Sequence, residues 1–118
     1  MAGLTTHVLD ASIGRPAAGV AIELFALDSD GRRTLIGRAR TNADGRTDAP
    51  LVAANEARAG AYELAFHVGD YFRARGAETA KPPFLDVVPI RFAVADPGAH
   101  YHVPLIATPW SYSTYRGS

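Results

Sequence analysis

The chain has no cysteine, so neither disulfides nor thiolate metal ligands hold it together, which suits a reducing compartment. It also lacks an excess of charge: twelve basic and twelve acidic residues cancel, leaving no electrostatic footprint for nucleic acid or an anionic membrane. No apolar run is long enough to cross a bilayer, and the start Met1-Ala2-Gly3-Leu4-Thr5-Thr6 shows no basic stretch followed by an apolar one. These absences predict a cytoplasmic protein that recognises its partner locally. There is no G-x-S-x-G elbow for a serine nucleophile and no glycine-rich phosphate loop. At 118 residues the chain is expected to form one domain, residues 1–118, able to bury roughly two thirds of its unfolded surface.

What the sequence does have is alternation. Leu4 to Asp10, Val20 to Leu27, Thr34 to Thr41, Ala61 to Val68, Val87 to Val94 and His100 to Ala107 each read as a strand of period two. In the first, Thr5, His7 and Leu9 share one face, and Leu4, Thr6 and Val8 the other. Val20, Ile22 and Leu24 point to the core, with Glu23 toward water. Tyr62, Leu64, Phe66 and Val68 alternate with a more polar face of Glu63, Ala65 and His67, which makes His67 structural. Ser111 to Tyr115 supplies one more strand near the C-terminus. Turns are expected at Ser12–Pro16, Asp28–Gly31, Asn42–Arg46 and Asp96–Gly98, and Leu51–Gly60 reads as a loop with a short strand at one end. A single helix is predicted over Gly69–Gly76, N-capped by Asp70 and ended by Gly76. Seven or eight short strands spaced by about ten residues make an all-β, two-sheet sandwich.

The candidate chemistry lies in polar groups on these strands. In His100-x-His102 the period places both imidazoles on one face, and His7 from another strand would complete a three-histidine zinc site. Against this, H-x-H is a weak signal and no carboxylate stands out as a second partner, so the favoured reading is free of metal and cofactor. Arg46 follows the glycine of its turn and taken alone is a solvated arginine, just as His7 taken alone is a partly exposed strand residue. The C-terminal Tyr115-Arg116-Gly117-Ser118 continues the alternation of polar and aromatic residues, which marks the terminus as part of the working structure. Composition and period do not say whether these groups meet.

Thr5-Thr6-His7-Val8-Leu9-Asp10, Asn42-Ala43-Asp44-Gly45-Arg46 and His100-Tyr101-His102-Val103-Pro104-Leu105, together with Ser113-Thr114-Tyr115-Arg116-Gly117-Ser118, resemble the 5-hydroxyisourate hydrolases, the transthyretin-related enzymes of urate breakdown. The likeness covers nearly the whole chain, and Tyr-Arg-Gly-Ser is its most discriminating part. It implies a transthyretin-like sandwich of eight strands and a homotetramer whose central channel holds the site. The channel would be lined by His7, Leu9, His102, Pro104, Ile106, Ser113 and Tyr115. The likeness also implies hydrolysis of 5-hydroxyisourate to 2-oxo-4-hydroxy-4-carboxy-5-ureidoimidazoline by His7, Arg46, His102 and Ser118, with Tyr115, Arg116 and Gly117 also binding substrate. His102 is expected to act first as base with His7 assisting, and Arg46 to stabilise the oxyanion. The alternatives are a transthyretin-like carrier that leaves its ligand unchanged, and a catalytically inert sandwich module for protein contacts.

Overall fold

A computed structural model describes residues 3–118; Met1 and Ala2, part of the start in which no export signal is expected, lie outside the described residues. The alternation becomes eight strands: β1 (Gly3–Asp10), β2 (Arg15–Pro16), β3 (Ala21–Leu27), β4 (Arg33–Arg40), β5 (Gly60–His67), β6 (Val87–Val94), β7 (His100–Ala107) and β8 (Tyr112–Thr114), with a helix α1 (Val68–Arg75) between β5 and β6. They form two four-stranded sheets, ordered β2-β1-β7-β8 and β4-β3-β5-β6. No helix among the described residues is long and apolar enough to cross a membrane.

The core lies between the sheets because every second side chain of the central strands is apolar. Leu4 and Val8 of β1 and Tyr101, Val103, Leu105 and Ala107 of β7 join Ile22, Leu24, Leu64, Phe66, Val88 and Ile90 in one buried cluster. Each large apolar side chain removed from water contributes about 1.5–3 kcal/mol. Thr6 is a polar exception on this face, and its hydroxyl is satisfied by donating to the Val103 carbonyl at 2.6 Å.

The feature that positions the site is the pairing of the first long strand with the last. β1 and β7 run parallel, with Gly3 opposite His100, Thr5 opposite His102 and His7 opposite Pro104; the other paired strands are antiparallel. Leu4, Thr6 and Val8 are buried with the inner residues of β7, so Thr5, His7 and Leu9 share the outer face with His100, His102 and Ile106, all partly exposed. The turn at Asp96–Gly98 does not make a hairpin; it carries the chain from the β6 sheet to the β7 sheet.

Several local expectations change. The helix begins at Val68, its N-cap is His67 without a side-chain cap bond, and Asp70 lies inside the first turn. There Asp70 faces the positive end of the helix dipole and pairs with Arg73 at 3.1 Å. The chain enters through Gly69, whose N–H donates to the Asp86 carbonyl at 2.9 Å, and Gly76 ends the helix with φ 80° as expected. Glu63 and Ala65 are not on an exposed face: both are buried, with Glu63 held by Arg33 at 2.8 Å and Arg91 at 2.9 Å. Burial alone would raise the Glu63 carboxyl, but the two guanidinium groups outweigh it and hold the pKa below its ordinary value. Glu23 is only partly exposed because it accepts from His67 at 2.8 Å. β2 occupies the end of the predicted Ser12–Pro16 turn, and β8 stops at Thr114, one residue short of Tyr115.

Phe66 is fully buried at the centre of this core. Phe66→Ala is expected to lower unfolding free energy by about 3–5 kcal/mol, read in urea titration as a lower midpoint with unchanged slope. A loss below about 1 kcal/mol would contradict the packing described.

Candidate active site

His7 projects from the outer face of β1, and its Nε2 lies 2.8 Å from the Asp44 carbonyl oxygen. A carbonyl only accepts, so Nε2 carries the proton and neutral His7 keeps a lone pair at Nδ1. Across the strand pair, Thr5 Oγ1 lies 2.8 Å from His102 Nδ1 and 3.1 Å from His100 Nε2. The two β7 rings stack with centroids 6.4 Å apart and planes 12° from parallel. His100 stands opposite Gly3 in the β1–β7 register. His100 Nδ1 is buried with no hydrogen-bond partner among the described residues.

Arg46 arrives from a different part of the chain on a self-bonded turn. Asn42 Oδ1 accepts from the Asp44 N–H at 2.9 Å and the Arg46 N–H at 3.2 Å, and the Asn42 N–H donates to the Arg46 carbonyl at 2.7 Å. The turn is pinned to β1 because the Val8 N–H donates to the Gly45 carbonyl at 2.8 Å. Gly45 has φ 75°, and a Cβ there would collide with the Val8 carbonyl, so this contact requires glycine. Arg46 then borders a cavity of about 220 Å³ with Thr5, Thr6, Asp48 and His100. Its guanidinium has no carboxylate partner among the described residues. A larger cavity of about 570 Å³, bordered by Arg15, Arg40, Tyr71 and Arg75, contains none of the predicted site residues.

The C-terminal segment returns to the same strand. The Gly117 N–H donates to the His102 carbonyl at 2.7 Å, and a Cβ on Gly117 would sit 2.6 Å from His102 Cδ2. Only glycine allows this approach. Arg116 donates to the His100 carbonyl at 3.2 Å and lies over the Tyr101 ring, 4.1 Å from its centroid. Tyr115 is 60 % exposed beside a cavity of about 240 Å³ shared with Phe92, Tyr101 and Arg116, and Ser118 is exposed. The structure therefore gathers His7, His102 and Arg46 around the β1–β7 face and brings Gly117 against His102, while His67 stays apart on Glu23. The hydrogen-bonding roles of Thr5 and His100 were not drawn from sequence, although their parity places them on this face. Among the described residues no three His, Asp or Glu side chains are grouped to hold a metal ion; His7 is turned to the Asp44 carbonyl, and the other two rings are parallel.

Burial lowers the His102 pKa from 6.5, and the positive charges of Arg46, His100 and His7 lower it further. His102 is thus neutral at pH 7. The unfolded chain takes up this proton first, so the native state loses stability as pH falls below 6.5 toward the lowered folded value.

Residues 4–117 match the HIUase/Transthyretin family. The chain belongs to that family. It is 60 % identical over 116 residues to the 5-hydroxyisourate hydrolase of Deinococcus radiodurans, covering 98 % of this chain and 96 % of that one. Among solved structures, (S)-allantoin synthase superposes with a TM-score of 0.91 at 45 % identity, over 98 % of this chain but 43 % of the other. Sea bream transthyretin in complex with thyroxine superposes at 0.85 with 30 % identity, covering 97 % and 93 %. The HIUase/Transthyretin fold thus includes proteins named as a hydrolase, a synthase and a transthyretin, and the side chains on the β1–β7 face have to distinguish among them.

Imidazole resonances followed against pH by NMR should show His102 titrating below 6.5. Arg46→Gln should move that midpoint upward, because it removes a cation that opposes protonation. An unmoved or falling midpoint would show that Arg46 does not act on this ring.

Proposed function

We propose that this chain hydrolyses 5-hydroxyisourate, opening a ring amide to give 2-oxo-4-hydroxy-4-carboxy-5-ureidoimidazoline in urate catabolism. The observation that carries the reading is the grouping of His7, His102 and Arg46 on one face, in a chain with a 60 % identical relative named for that hydrolysis. A neutral imidazole takes a proton from water, which is worth about 10²–10⁴ in rate. Arg46 cannot lose its own proton and stabilises the oxygen that becomes negative; losing such a donor costs about 10²–10³. The Ser118 hydroxyl or carboxylate orients water, a histidine or Arg46, and Tyr115, Arg116 and Gly117 help enclose the substrate. The chain's own side chains suffice for these steps without a metal.

The reading extends to one domain over residues 1–118, cytoplasmic, assembled as a homotetramer. On a lone chain the outer face of β1 and β7 is open, and Val87 and Tyr112 are exposed on the outermost strands β6 and β8. Subunit contact would cover such apolar surface and close the site to bulk water. A carrier sharing the fold would gain little from two imidazoles and a guanidinium that it has to desolvate.

Ultraviolet absorbance of freshly made 5-hydroxyisourate provides the test, because spontaneous decay sets the baseline. Catalytic amounts of the protein should accelerate decay, sedimenting as four chains. His7→Asn and Arg46→Gln should each slow turnover by more than about tenfold, while His67→Asn should stay near wild type. Decay unchanged by the folded wild-type protein would reject the hydrolase in favour of the carrier.

A further inference from the structure

We infer, resting on the hydrolase reading, that Thr5 is a positioning residue: it links His100 and His102 in a directed hydrogen-bond chain that makes neutral His102 a donor at Nε2 and leaves the proton transfer to His7 Nδ1.

The direction follows from counting protons. Thr5 Oγ1 has one proton, and its partners among the described residues are His102 Nδ1 at 2.8 Å and His100 Nε2 at 3.1 Å. To use that proton, Thr5 donates to one neutral ring and accepts from the other. If it donated to His100 Nε2, the His100 proton would have to sit on Nδ1, which is buried without a partner among the described residues. A buried N–H with no acceptor is rarer and costlier than a buried acceptor with no donor. The chain therefore runs from His100 Nε2–H to Thr5, and from the Thr5 O–H to His102 Nδ1. Neutral His102 then carries its proton on Nε2 and has no lone pair left to act as base.

His7 is set in the opposite sense. The Asp44 carbonyl holds its proton at Nε2, leaving Nδ1 free to accept, and the bond to Asp44 becomes charge-assisted once His7 is protonated. The division of labour expected from sequence is thus reversed. As a water O–H bond breaks, its proton passes to His7 Nδ1 and the water oxygen bonds to the substrate carbonyl carbon. The carbonyl electron pair moves onto its oxygen, stabilised by Arg46 and the His102 Nε2–H. Collapse breaks the C–N bond, and His7 returns its proton to the departing ring nitrogen. Burial and the neighbouring positive charges help keep His102 neutral in this role.

The test is two-bond ¹H–¹⁵N NMR of histidine-labelled full-length protein at a pH where the rings are neutral, beside kinetics of Thr5→Val and Thr5→Ser. His7, His100 and His102 should all carry their protons on Nε2. Thr5→Val keeps the side-chain shape but loses the hydroxyl; it should blur the His102 tautomer and lower kcat about tenfold or more with little change in KM. Thr5→Ser should restore both the spectrum and kcat. Protonation of wild-type His102 at Nδ1 overturns the assignment, as does a wild-type kcat in Thr5→Val. If Thr5→Val fails to assemble, the wild-type spectrum and Thr5→Ser still decide. The spectra need no substrate, so a chain with the expected tautomers that leaves 5-hydroxyisourate decay unchanged would overturn the hydrolytic role while keeping the hydrogen-bond geometry.

Discussion

The parallel pairing of β1 with β7 is the constraint on which the rest of the structure depends. Its register fixes Thr5 beside His102 and His7 two residues farther along the same face. A slip of β1 by one residue would turn every side chain of that strand over, sending His7 into the core and the Leu4–Val8 set into water. The burial of Leu4, Val8, Val103 and Leu105 therefore specifies the register of the site as well as the core. The Asn42–Arg46 turn and Gly117 are then bonded to these two strands by backbone, at Val8 and His102.

Placing Arg46 near three imidazoles works against protonation of His102 and gives the face no stabilising ion pair among the described residues. The structural clusters elsewhere are arranged differently. Glu63 sits between two arginines, and Asp10, wholly buried, accepts from Tyr71 at 2.8 Å and pairs with Arg75 at 2.9 Å. In those places the charges and hydrogen bonds are matched; around His102 a cation is left without a carboxylate among the described residues. Unmatched charge of this kind is what a site requires if it is to meet negative charge that develops during reaction.

Much of this was legible in the sequence. The strands follow period two, and the shared face of His7 with Thr5, and of His100 with His102, follows from parity alone. Period identifies faces within a strand but not which strands adjoin, so the β1–β7 neighbourhood came from family resemblance. The sequence points to Asp70 as a cap because a polar residue after glycine suits a helix start, whereas here the Gly69 N–H bonds outside the helix to Asp86. Local sequence places Glu63 on a polar face because its two arginine partners lie 30 and 28 residues away. The Thr5 bridge and the orphan nitrogen of His100 depend on ring orientation, which no spacing encodes.

The central claim is that His7 and His102 work as one unit, and a double-mutant cycle in kcat tests it most directly. If they serve the same transition state, His7→Asn combined with His102→Asn should be little worse than the more damaging single change, as expected for groups that act together. Fully multiplicative losses, measured on equally folded and assembled proteins, would show two independent contributions and contradict the account.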